Sequence, residues 1–190
     1  MMNVPLTCSF LLTNDLTKFH EANTLPAGYL FHGDRNGDAD INGNAEVWDL
    51  ADLTLQCGRR GDSLKLALSW LYYGPDHYAT IIDHAFDTAA YLASLVSSRP
   101  DFLLVSESPP PCLQVCFYYA PKGEMKAVKE ENTRITKKIA GKLVSRGFMT
   151  DYAPGKRGSM FRVVVHSGTR RGTVEGLVNA IVEIGEEEGM

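Results

Sequence analysis

Apolar residues gather first over positions 5–13 (PLTCSFLLT), a short run closed by polar neighbours that predicts a buried strand. From 14 to 52 the pattern gives way to Gly, Asn and Asp with a few aromatics, which predicts a long loop. A loop of that length in a compact domain is usually functional or disordered, so it is a first place to look for chemistry. Residues 62–73 (DSLKLALSWLYY) then read as a helix capped by Asp62 or Ser63 and stopped by Gly74-Pro75.

A second helix starts near Asp76. Its apolar positions Tyr78, Ile81, Ile82, Ala85, Phe86, Ala89, Leu92, Leu95 and Val96 recur at steps of three and four, and Pro100 closes it. A short strand over 102–105 and a Ser/Pro-rich turn follow. Leu113, Val115, Phe117 and Tyr119 then alternate with Gln114, Cys116 and Tyr118, the period of a half-buried strand. Residues 124–146 predict a charged amphipathic helix, 148–152 and 160–166 two strands, and 173–186 a last helix with Val174, Leu177, Val178, Ile181 and Val182 facing inward. From residue 76 the order is helix, strand, strand, helix, strand, strand, helix. That order predicts an α+β (α/β) layer in which helices cover one face of a mostly antiparallel sheet.

Composition narrows the function classes. With 44% hydrophobic and 22% charged residues, the 190-residue chain is that of a globular protein with a real core. Its formal charge is −4 and its basic residues are scattered, which argues against nucleic acid as a partner. No run of 18 apolar residues spans a membrane, and residues 1–6 lack the pattern of a signal peptide, so a cytoplasmic protein is expected. Cys8, Cys57, Cys112 and Cys116 show no CxxC spacing, which predicts reduced thiols and neither disulfide nor metal. Asp38-x-Asp40-x-Asn42-Gly43 with Asp49 fits much of a calcium loop, but Asp49 is shorter than the usual Glu and no amphipathic helix leads in. A solvated Asx/Gly loop is the expectation there.

Residues 55–74 (LQCGRRGDSLKLALSWLYYG) resemble a segment of the group II pyridoxal-phosphate (PLP) amino-acid decarboxylases, and within them the glutamate and cysteine-sulfinate decarboxylases. Val4-Pro5-Leu6-Thr7-Cys8-Ser9 resembles the strand after the cofactor lysine of that family, and Ala27-Gly28-Tyr29-Leu30-Phe31-His32-Gly33-Asp34 its catalytic loop. Met160-Phe161-Arg162-Val163-Val164-Val165 resembles the strand carrying the substrate-carboxylate arginine. The resemblance implies that residues 1–75 are a remnant of the PLP-binding large domain and 76–190 the small C-terminal domain.

It also implies roles. Tyr29 matches the tyrosine that protonates the substrate carbon, a general acid delivered by a closing loop. Arg162 matches the residue that grips a carboxylate; on the residues alone, a local ion pair with Asp151 or a nearby Glu is the favoured reading. Cys57, Gly58 and Arg59 match a corner near the cofactor and the dimer interface, and otherwise read as a helix-entry turn.

The family's His-Lys pair precedes a Met-Met-Gly-like sequence. Here the chain opens Met1-Met2-Asn3, so the Schiff-base lysine of the resemblance falls before residue 1. PLP is the cofactor the resemblance implies, on a chain expected to be truncated and unable to decarboxylate an acidic amino acid alone. Two further expectations stand beside that one. The chain is a regulatory partner of a full-length homologue, or a PLP-independent biosynthetic enzyme that binds a small carboxylate-bearing molecule. Apolar surface near residues 4–12 would lie uncovered, so a homodimer or a heterodimer with a full-length homologue is expected.

Overall fold

The computed structural model describes residues 8–10, 12–23 and 61–190. The chain divides into two compact units, Val4–Tyr72 and a second that contains Tyr73–Met190.

In the first unit, Cys8–Phe10, Leu12 and Thr13 form no strand, contrary to the expectation over 5–13. Phe10 and Leu12 are 69% and 89% exposed, so the described part of this apolar run is not buried. A helix stands inside the predicted loop: α1 covers Leu16–Asn23. Asp15 caps it, its carboxylate accepting the Lys18 N–H at 3.3 Å and so satisfying one free donor of the first turn. Residues 24–60 lie outside the described part, and with them the calcium-like loop and His32.

The two helices expected on either side of Gly74-Pro75 are both present, taken together as α2 (Asp62–Ser97) and separated by non-helical backbone at Gly74 with φ 76° and ψ 168°. Proline lacks the N–H for helical bonding and disfavours helical geometry in the residue before it, so the sequence break is a real one. After the break, Tyr78, Ala85, Ala89, Leu92, Ala93 and Val96 are buried, one stripe at the predicted spacing.

Four strands follow, β1 (Phe102–Leu104), β2 (Gln114–Tyr119), β3 (Asp151–Gly155) and β4 (Gly158–Val164). They form one antiparallel sheet in the order β1-β2-β4-β3. Pro154 is tolerated because β3 is an edge strand. Val115, Phe117, Tyr119 and Phe161 share a core with α2, with Ile139 and Leu143 of α3 (Lys129–Leu143), and with Val174, Leu177, Val178, Ile181 and Ile184 of α4 (Arg171–Glu187). The rings of Phe117 and Phe161, opposite each other in the β2–β4 register, stack with centroids 5.6 Å apart. The fold is thus the expected mixture of helices and antiparallel sheet.

Two boundaries differ from the periodicity for identifiable reasons. α3 begins at Lys129, not at 124, because the buried Asn132 side chain holds the approach in a non-helical path. Its Oδ1 accepts the Lys126 N–H at 3.1 Å, while Nδ2 donates to the carbonyls of Lys126 at 2.9 Å and Arg157 at 2.8 Å. β3 begins at Asp151, not at 148, because the helix end occupies the intervening residues. Gly147 adopts φ 84° and the Phe148 N–H returns to the Leu143 carbonyl at 3.0 Å, a left-handed helix stop. Phe148 then packs against Gly176 of α4.

Candidate functional site

Strand alternation sends Phe161 into the core, where it is fully buried, and Arg162 to the other face of β4. On that face Arg162 stands between Cys116 of β2 and Asp151 of β3 in the register. The Arg162 Nη2 donates to the Asp151 Oδ2 in a direct ion pair. Asp151 Oδ1 accepts the N–H of Tyr152 at 2.8 Å. That backbone donor first, and Arg162 second, hold the Asp151 carboxyl below its ordinary range.

The pair uses only part of the guanidinium. Arg162 Nε is buried and has no hydrogen-bond partner, although it lies on the same donor edge as Nη2. Arg162 is 40% exposed along its side chain and Asp151 58%, so both are within reach of a ligand from solvent. Nε itself is closed to solvent, so a carboxylate can take the two-donor edge of the guanidinium only if neighbouring side chains move aside. Sequence reasoning placed Arg162 opposite Phe161 and offered Asp151 or a nearby Glu as a local partner; the structure pairs it with Asp151. Tyr29, Cys57, Gly58 and Arg59 lie outside the described residues.

Other titratable groups serve as ties between elements. The Tyr91 hydroxyl donates to Glu175, which raises its pKa above the usual phenol value. Arg146 bridges Glu183 and Glu187, and Lys138 and Lys142 both reach Glu188. Among the described residues no group of His, Cys, Asp and Glu could hold a metal ion, and no helix is long and apolar enough to cross a membrane. Cys8, Cys112 and Cys116 are free thiols. One feature escaped the sequence reading entirely: Lys126, Lys129, Lys156 and Arg157, from two distant segments, line one cleft.

Residues 1–120 match the family described as the pyridoxal-dependent decarboxylase conserved domain. The chain is 56% identical over 187 residues to a Metarhizium robertsii protein named L-aspartate decarboxylase dtxS4, covering 98% of this chain and 36% of that protein. With a glutamate decarboxylase-like protein of Gibberella zeae it shares 38% identity over 220 residues, covering 100% of this chain and 42% of the relative. The chain therefore spans well under half the length of either relative. Among solved structures, mouse CSAD in its apo form matches with a TM-score of 0.69 and 25% identity, over 91% of this chain and 34% of that one. Oryza sativa TDC with PLP and tryptamine matches in fold, with a TM-score of 0.65 and 23% identity over 75% and 30% of the two chains.

PLP is held through its aldehyde by a lysine amine inside an enclosed site, so the lysines test whether it fits here. All nine lysines of the chain are among the described residues, and every one is exposed. Among the described residues, none offers a sheltered amine for the cofactor's aldehyde.

Proposed function

The chain belongs to the pyridoxal-dependent decarboxylase family, and from that premise we propose that it is the carboxylate-binding, C-terminal portion of a decarboxylase acting on an acidic amino acid. The observation that carries this reading is Arg162, whose guanidinium already holds one carboxylate and keeps a buried Nε donor unused. A substrate carboxylate displaces Asp151 and so gains the Nη2 and Nε edge, exchanging an internal ion pair for an external one. The names of the Metarhizium robertsii and Gibberella zeae relatives, aspartate and glutamate decarboxylase-like, support an acidic substrate. Arg162 binds and orients; Tyr29 is the proposed proton donor; Cys57, Gly58 and Arg59 are the proposed corner nearest the cofactor. PLP is supplied with its Schiff-base lysine from outside this chain, in keeping with the exposure of all nine lysines.

Association with a second, longer chain belongs to the same proposal. Leu64, Leu68, Leu71 and Tyr72 on the first part of α2 are 62%, 58%, 81% and 83% exposed, an apolar surface of the kind that mediates association. The test is CO₂ release from L-aspartate and L-glutamate with PLP present. The chain alone is expected to release none, and mixing it with a longer homologue that carries the family lysine changes that homologue's rate. Arg162→Lys abolishes the change. Decarboxylation by the chain alone, with one lysine trapped by borohydride as a pyridoxyl adduct, sinks the proposal.

The exposed lysines also favour a second reading, a short paralogue that binds a carboxylate without PLP. Saturable binding of L-aspartate to the chain in PLP-free buffer, together with no effect on any longer homologue, selects it over the first.

A further inference from the structure

Two segments far apart in sequence meet where α3 begins. The approach to the helix and the tip of the β3–β4 hairpin line a cleft of about 310 Å³, its walls formed by Lys126, Lys129, Lys156 and Arg157, with Asn132 among its lining residues. No carboxylate lines it. Among the described residues, none of the four cations makes an ion pair, whereas Lys138, Lys142, Arg146 and Arg162 all do. Lys126 also borders the adjoining groove, where Glu131, Glu188, Arg134 and Lys138 stand.

The backbone under these charges is fixed. Asn132 ties the Lys126 amide to the Arg157 carbonyl, as described above. Thr133 Oγ1 accepts the Ser159 N–H at 2.9 Å, Thr136 donates to the Ser159 carbonyl at 2.8 Å, and the Tyr118 hydroxyl accepts the Arg157 N–H at 3.2 Å. At Gly158, φ is 111° and a Cβ would lie 2.5 Å from the Lys129 carbonyl oxygen, so the hairpin rests directly on the helix entry. An anion bound in the cleft therefore meets four cations carried on a backbone already held in place.

We infer that this cleft binds a small multivalent oxyanion of the phosphate type. Three lysines supply point charges and Arg157 a planar fork, the combination that matches a phosphate group. Its volume admits a small anion or a single phosphate-bearing group. Arg162 is not among the lining residues, so this is a site separate from the carboxylate grip.

The test is titration of inorganic pyrophosphate into the chain in chloride buffer, followed through amide NMR shifts. Saturable shifts are expected at residues 126, 129, 132, 156 and 157. Replacing two charges at the exposed hairpin tip, Lys156→Ala with Arg157→Ala, weakens binding about tenfold or more. Lys18→Ala with Lys65→Ala removes the same charge elsewhere and leaves the affinity unchanged. Should the hairpin variant lose its native spectrum, Lys126→Gln with Lys129→Gln gives the same reading. Equal losses from the cleft and distant pairs would reduce the effect to a diffuse ion atmosphere and overturn the inference. So would no saturable shift up to about 10 mM. Citrate binding as tightly as pyrophosphate overturns the phosphate assignment.

Discussion

Asp151 faces Arg162 directly across the β3–β4 register and pairs with its Nη2, while the neighbouring Nε stays buried without a partner. The carboxylate of Asp151 thus occupies half of the edge that a ligand carboxylate would use. Asp151→Asn is expected to raise the affinity of the chain for L-aspartate roughly two- to fivefold, the range of an exposed ion pair removed as a competitor. Arg162→Lys is expected to abolish binding because a point charge replaces the fork. Calorimetric titration of both variants reads the two effects. Unchanged affinity in Asp151→Asn would show that Asp151 does not compete.

The same carboxylate sets a pH dependence. Its folded pKa is lowered, first by the Tyr152 N–H and then by Arg162. Stability from such a group is fully present above the unfolded value of about 4, and is lost as pH falls through the lower folded value. A carbon-detected NMR titration of Asp151 should therefore inflect below about 4, with no change in the pair between pH 7 and 5. An inflection above that point would contradict the backbone and guanidinium contacts.

Asn132→Ala is expected to destabilise the second unit by about 2–4 kcal/mol in urea unfolding. Three hydrogen bonds go at once, and the side chain that made them is buried. A loss below ~0.5 kcal/mol, the level of ordinary surface changes, would mean that the approach to α3 is not held by this residue.

Gly185→Ala tests the packing of α4 on the sheet. A Cβ there would lie 2.1 Å from Tyr119 Oη and 2.3 Å from its Cζ. Overpacking of this kind costs about 1–3 kcal/mol. Adding Tyr119→Phe should recover only part of that loss, because the ring carbon remains in the way. Full recovery in a double-mutant cycle would place the whole conflict at the hydroxyl.

The order of helices and strands from residue 76 onward was legible because each element keeps its own period. Buried positions such as Ala85, Ala89 and Leu92 recur as the pattern requires, whereas β2, read as half-buried, is buried on both faces, Cys116 and Tyr118 as well as Val115 and Phe117. The outward direction of Arg162 followed from the same alternation. What periodicity missed depends on single side chains acting on the backbone. Met125 and Val128 extend the apolar rhythm of α3 upstream, yet Asn132 bonds the backbone at Lys126 and prevents it. Phe148 looked like a strand residue and is a plug behind a left-handed turn. The Asp15 cap of α1 was hidden in a polar stretch read as loop. The cationic cleft left no trace, since Lys126 and Arg157 are neighbours only through the fold.

The strand order gives the two partners of the ion pair unequal permanence. Arg162 rides on β4, bonded on both flanks to β2 and β3, while Asp151 rides on β3 at the sheet margin. Marginal strands fray at small free-energy cost, and interior ones exchange their amide protons only when much of the domain opens. Fraying of β3 would carry the aspartate away and leave the arginine in place. The guanidinium can thus be unmasked and masked again without the core that supports it ever coming apart.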